Sequence, residues 1–194
     1  LSPNTLTSLL KAAGVWRRRR RRGKHRSRRE RRACFGSLVQ MDGSPHDWFE
    51  GRAEPCCLMV AVDDATGRTL ARFYRRETTG AAFDLFGRWV RRHGVPRALY
   101  VDRAGIYRPE REASGAEVLA GKGPVTQFGR AMDELGVELI LANSPQAKGR
   151  VERKNGVFQD RLIKEMRLAG VSSMEAGNAF LDGGYLEEHN ARYE

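Results

Sequence analysis

Three features of the sequence predict an α/β protein with a mixed sheet covered by helices. From Leu38 onward, short apolar runs and amphipathic stretches follow the order βββ-α-β-α-β-α, an antiparallel hairpin system joined to helical crossovers. The length of 194 residues suits one domain with a single sizeable core and a short appendage. Charge is segregated as well: residues 1–34 hold 13 Lys and Arg against one acid, whereas the rest holds 22 bases against 23 acids. The net charge of +11 therefore belongs to a cationic N-terminal arm on a neutral globule, and an anionic partner is expected. A hydrophobic content of 40% excludes a wholly disordered chain, and no run approaches the roughly 18 apolar residues of a membrane helix. Cys34, Cys56 and Cys57 offer neither metal-ligand spacing nor an even-numbered disulfide framework, which fits a reducing compartment such as the cytoplasm.

Ser2 and Pro3 form an N-cap and first turn, and Leu6, Leu9, Leu10 and Ala13 recur at helical spacing before Gly14. This short helix reads either as the recognition helix of a helix-turn-helix or as an ordinary surface helix. The chain starts without Met on a capping residue and stops in a helical pattern, so a piece of a longer protein is expected. The run from Arg17 to Arg32 carries 12 bases and cannot pack against itself, which makes it a linker or arm. Arginine at this density suits nucleic-acid phosphate, with Arg17, Arg18, Arg19, Arg20, Arg21 and Arg22 as its densest part.

Strands are expected over 38–41, 58–62 and 70–74, with Asp63-Asp64-Ala65-Thr66-Gly67 as the hairpin turn between the last two. Thr78 or Thr79 caps a helix whose Ala82, Phe83, Phe86, Trp89 and Val90 share a face, and Gly94 with Pro96 ends it. A buried strand follows over 98–101, then a polar loop over 103–123. Phe128, Ala131, Met132 and Leu135 mark the next helix, 137–142 the fifth strand, and Val151, Phe158, Leu162, Met166 and Ala169 the stripe of a long final helix. Trp48, Phe49 and Trp89 read as core, and His46 as packed beside Trp48 or capping a turn.

Asp42 and Asp102 each terminate an expected apolar strand, where a buried carboxylate is costly unless a cation or metal compensates it. Were those strands neighbours, the two carboxylates would meet at the sheet's crevice. Glu152 stands one residue beyond Val151, about 100° from the apolar stripe, and is free to point back toward the sheet. Three carboxylates from separate elements suit hard divalent cations that serve phosphoryl transfer. Spacing alone leaves the ordinary alternative open, namely that such residues cap turns.

The local strings are more specific. Leu38-Val39-Gln40-Met41-Asp42-Gly43, Leu99-Tyr100-Val101-Asp102-Arg103 and Ser144-Pro145-Gln146-Ala147-Lys148-Gly149-Arg150-Val151-Glu152-Arg153 together resemble the DDE-type transposase and retroviral-integrase catalytic core. The similarity is greatest to bacterial insertion-sequence transposases of the ISNCY group, and it covers essentially the whole chain. It implies an RNase H-like fold: a mixed five-stranded sheet flanked by helices, with the first and fourth strands adjacent, preceded here by a helix and a basic arm. The organisation it implies is the end of a helix-turn-helix region over 1–15, a basic linker over 16–34 and the catalytic core over 35–194. By the same resemblance Asp42, Asp102 and Glu152 are the catalytic and metal-binding acids, holding Mg²⁺ or Mn²⁺, with two ions expected.

The 49 residues between Asp102 and Glu152 exceed the spacing in many relatives, and the 103–123 loop absorbs the excess. Lys148, Arg150, Arg153 and Lys154 around Glu152 are then expected to face DNA phosphates. The expected activity is cleavage of the element's DNA ends and strand transfer into target DNA, by a homo-oligomer working in the bacterial cytoplasm at the nucleoid. A hydrolytic nuclease of the same fold and an inactive transposase-derived DNA-binding protein are the alternatives. Deleting residues 17–32 is expected to weaken DNA binding and flatten its salt dependence: about six neutralised phosphates correspond to a log–log slope near −5. Affinity measured across a salt series checks this, and an unchanged slope refutes the arm's role.

Overall fold

A computed structural model describes residues 2–15, 30–109, 115, 123–142 and 149–193. Helix α1 (Pro3–Ala12) is capped as expected, with the Thr5 amide donating to Ser2 Oγ at 3.2 Å. Its apolar stripe is not covered by the described residues: Leu6 and Leu9 are both about half exposed. The arm residues Arg17 to Arg22 lie outside the described residues.

The sheet contains β1 (Val39–His46), β2 (Cys56–Asp63), β3 (Thr69–Tyr74), β4 (Ala98–Val101) and β5 (Glu138–Leu141) in the spatial order β3-β2-β1-β4-β5. The first three strands pair antiparallel, while β4 pairs parallel with β1 and β5 parallel with β4. This is the mixed five-stranded RNase H-like sheet, with the first and fourth strands adjacent. Helix α2 (Thr79–His93) connects β3 to β4, α3 (Gln127–Glu134) precedes β5, and α4 (Gly149–Leu168) follows it. Thr78 and Thr126 cap α2 and α3 through their side chains.

Two expectations from the sequence need correction. Strand β1 does not stop at residue 41 but pairs with β2 from Val39 opposite Asp63 to His46 opposite Cys56. Asp42 therefore sits within a strand rather than at its end. The polar residues of β1 look like a loop, yet they are satisfied by side chains of α4, so the ladder continues through them. The second correction concerns the C-terminal segment, where α6 (Leu186–Tyr193) agrees with the helical pattern at the end of the sequence but α5 (Met174–Phe180) and a π-type turn (Leu181–Tyr185) before it are additional.

Alternation along the strands divides the sheet into two faces. Gln40, Asp42 and Ser44 of β1 share a face with Leu58 and Val60 of β2 and with Phe73 of β3, and α4 covers it. Cys57 and Tyr74 face the other way, toward α2, where the Tyr74 hydroxyl donates to Asp84 at 2.7 Å. Trp48, Phe49 and Trp89 are at most 1% exposed, which confirms them as core. His46 lies edge-on to Trp48, with ring centroids 5.5 Å apart. The expected helical face on α3 ends early, since Leu135 is half exposed.

The C-terminal helices seal the outer edge of β3. Asn178 accepts from the Phe73 amide at 2.8 Å and donates to its carbonyl at 3.0 Å. Asn190 does the same at Thr69, at 2.8 and 2.9 Å. Each side-chain amide thus replaces one residue of a sixth strand. Asn190→Ala leaves both Thr69 groups without a partner, and a loss of about 2 kcal/mol in urea unfolding is expected.

His189 is buried against Phe158, Tyr185 and Tyr193 and contacts Lys154 Nζ at 3.2 Å. Burial, reinforced by Lys154, Arg161 and Arg192, pulls its pKa down from 6.5 to about 4. The unfolded chain therefore binds the extra proton first, so stability held above pH 6.5 is lost as the pH falls toward 4. Thermal unfolding is expected to show this decline between pH 6.5 and 4, and His189→Phe to flatten it.

Candidate active site

Parallel pairing sets the position of the two aspartates. Val39 stands opposite Leu99 and Gln40 opposite Tyr100, and the same register carried two residues further would set Asp42 level with Asp102, the first residue beyond β4. Adjacent strands lie about 4.8 Å apart, and equal register gives both residues the same face. Both are partly exposed at the mouth of the crevice. Asp102 Oδ1 also accepts from the Ala104 amide at 2.9 Å and so turns the chain out of β4.

Helix α4 runs along β1 in register with it. The Val151 amide donates to Gln40 Oε1 at 3.4 Å, Asn155 Nδ2 to Asp42 Oδ2 at 3.2 Å and Gln159 Nε2 to Ser44 Oγ at 3.1 Å. Four helical residues advance about 6 Å and two strand residues about 6.7 Å, which lets the three contacts repeat in step. Beneath this polar row, Val151, Phe158, Leu162 and Met166 are fully buried, as the stripe in the sequence predicts.

Glu152 flanks the row. Residue 150 projects about 100° to one side of Val151 and residue 152 about 100° to the other. Arg150 reaches Asp64 beyond the end of β2, and helical geometry sets residue 152 on the flank of α4 away from β2. It is solvent exposed in the first turn of α4. Among the described residues, no three His, Cys, Asp or Glu side chains are close enough together to hold a metal. Asp42 thus lies in β1, Asp102 just beyond β4 on the neighbouring strand, and Glu152 in the exposed first turn of α4.

Several side chains at the site escaped the sequence reading. Asn155 is 8% exposed, and its Oδ1 has no hydrogen-bond partner among the described residues although its Nδ2 bonds Asp42. The Glu77 carboxylate fills the space that a side chain on Gly43 would occupy, on the face opposite Asp42. The buried Tyr107 hydroxyl donates to Glu77 Oε1 at 3.4 Å. Burial raises the pKa of Tyr107, and the neighbouring Glu77, Asp102 and Asp42 raise it further. Burial also pushes the Cys57 thiol up to about 12, which removes it as a nucleophile. The available signal was Gln40, Asp42 and Ser44 at alternate positions of an otherwise apolar strand, matched by Asn155 and Gln159 four residues apart.

Of the expected DNA-contacting residues, Arg150, Arg153 and Lys154 line a recess of about 160 Å³ together with Arg31, Val157 and Tyr193. Arg153 is exposed, with Nε donating to the Gly149 carbonyl, while Lys154 lies 5.4 Å over the Tyr193 ring. Lys148 lies outside the described residues. No helix among the described residues is long and apolar enough to cross a membrane.

The fold is that of retroviral integrase catalytic cores. In the intasome of simian T-cell lymphotropic virus, solved with the PP2A regulatory subunit B56 gamma, one chain matches 92% of this one over 66% of its own length (TM-score 0.64, 19% identity). The HTLV-2 integrase catalytic core, solved with magnesium, matches 74% of this chain and 81% of its own (TM-score 0.55, 16% identity). The core of BIV integrase matches 82% and 99% (TM-score 0.53, 19% identity).

In sequence the chain is similar to parts of two transposases. It is 44% identical over its whole length to the provisionally named transposase y4bF of Sinorhizobium fredii, and 34% identical over 166 residues to the transposase for insertion sequence IS1202 of Streptococcus pneumoniae. It spans 41% and 34% of the lengths of these relatives. No protein-family model matches it.

Asn155→Leu removes the donor to Asp42 together with an unsatisfied buried acceptor. Its effect on urea unfolding is expected to stay within about 1 kcal/mol, and a larger loss would show that Oδ1 is bonded in solution.

Proposed function

We propose that this chain is the catalytic core of a DDE-type DNA transposase, a polynucleotidyl transferase that cleaves its element's ends and joins them to target DNA. The observation that carries the reading is the parallel register of β1 and β4, which carries Asp42 and the residue just beyond β4, Asp102, toward one level, with Glu152 on the helix that covers β1, in a chain aligned over its whole length with part of a transposase.

The residues fit a hard divalent cation. Asp42 and Asp102 supply carboxylate oxygens on one face, and the buried Asn155 Oδ1 beside them has no other partner among the described residues. Asp42, Asp102 and Glu152 would hold Mg²⁺ or Mn²⁺, in a pair. When bound, such ions polarise the scissile phosphate and support both the attacking and the leaving oxygen. Asn155 holds the Asp42 carboxylate in place, and the Ala104 amide does the same for Asp102. Arg153 and Lys154, with Arg150, Lys148 and the arm arginines Arg17 to Arg22, face the phosphates of the bound strands. Water attacks the phosphate at the element end to free a 3′-hydroxyl, and that hydroxyl then attacks a phosphate of the target. The partners are the element's terminal repeats, target DNA and further copies of the protein, at the bacterial nucleoid.

The test mixes the protein with a pre-cleaved end of its element and supercoiled plasmid in Mg²⁺. Joined products are expected from the native protein and none from Asp42→Asn, Asp102→Asn or Glu152→Gln, with DNA binding retained by all three. Joining by any one variant removes that residue from the site. Cleavage without joining overturns the transposase reading in favour of a nuclease.

A further inference from the structure

One buried ion pair lies next to the first turn of α4 without being one of the three acids. Asp64, just beyond β2, is fully buried. Its carboxylate accepts from the Arg32 amide at 2.9 Å, from Gln40 Nε2 at 2.9 Å and from Arg150 Nη1 at 2.7 Å. The same Arg150 nitrogen donates to the Asp64 carbonyl oxygen at 2.7 Å. Gln40 uses its other amide atom to accept from the Val151 amide, one of the N–H groups that a helix's first turn leaves without an internal partner. Asp64, Gln40 and Arg150 thus hold residues 150 and 151, immediately before Glu152.

Two features separate this network from an ordinary helix anchor. It grips a side chain and a backbone amide on successive residues, which fixes the rotation of the helix as well as its position. Each residue turns a helix by about 100°, so a slip of one residue would carry Glu152 away from the β4 side. A buried ion pair is also an inefficient way to gain stability, because apolar replacements often serve as well or better.

We infer that Asp64, Gln40 and Arg150 are positioning residues that set the rotation of the first turn of α4 and thereby present Glu152 to the Asp42–Asp102 pair. The inference rests on the proposed reading of those three acids. It gives Arg150, two residues before Glu152, a function besides facing phosphate.

The experiment uses the whole protein without DNA. Mn²⁺ binding is followed by electron paramagnetic resonance, and backbone hydrogen exchange is followed along α4. Gln40→Met, Arg150→Lys and Asp64→Asn are each expected to lose exchange protection over residues 149–155 while 156–168 stay protected. Each is also expected to bind Mn²⁺ about tenfold or more weakly, as when the partners of metal ligands are removed. Gln40→Met leaves the ion pair intact and decides the matter if Asp64→Asn does not fold.

Because the network acts through Glu152, adding Gln40→Met to Glu152→Gln is expected to weaken Mn²⁺ binding no further. Unchanged affinity in all folded network variants, beside a clear loss in Asp42→Asn and Glu152→Gln, overturns the inference alone. An additive double variant overturns it too. No loss in Asp42→Asn overturns the reading of the acids beneath it.

Discussion

The parallel pairing of β1 with β4 is the constraint on which the site depends. Only two register pairs are formed, Val39 with Leu99 and Gln40 with Tyr100, yet they fix the level of every residue further along both strands. Asp42 and Asp102 are 60 positions apart in the sequence. A shift of one residue between the strands would send their side chains to opposite faces of the sheet. The buried Leu99 and Val101 hold that register by packing, so the chemistry at the crevice is set by hydrophobic contacts that take no part in it.

The second element of the site is set by polar contacts. The row joining Gln40, Asp42 and Ser44 to α4 works because helix and strand advance by similar distances over four and two residues. Neither partner of such a row can be recognised from its own segment. In β1 the polar positions resemble loop residues, which is why the strand looked four residues long instead of eight. In α4, Asn155 is 8% exposed although helical periodicity alone gives no reason to bury an amide.

Much of the architecture was legible. Thr78 and Thr126 cap helices, Asp63 closes the β2–β3 turn, and the apolar stripe of α4 is buried up to Ala169, which is exposed just past the helix end. The adjacency of the first and fourth strands was not legible from pattern, because periodicity reports which face is apolar and not which strand lies alongside. The family resemblance supplied it. Arg150 shows the opposite limit: in the sequence it is one more base in a basic string, and only the fold shows that Asp64, 86 residues earlier, lies buried beside it.

The amides of Asn178 and Asn190 also bear on how the chain is made. They close the rim of β3 from positions 105 and 121 residues downstream. Until residues 174–193 have left the ribosome, a strand with unsatisfied N–H and C=O groups stays open to any neighbouring chain. The sheet can assemble before residues 174–193 are made, but the cover of β3 waits for them. A chain interrupted after α4 would have all five described strands in place and still leave the Phe73 and Thr69 groups at this border without their amide partners.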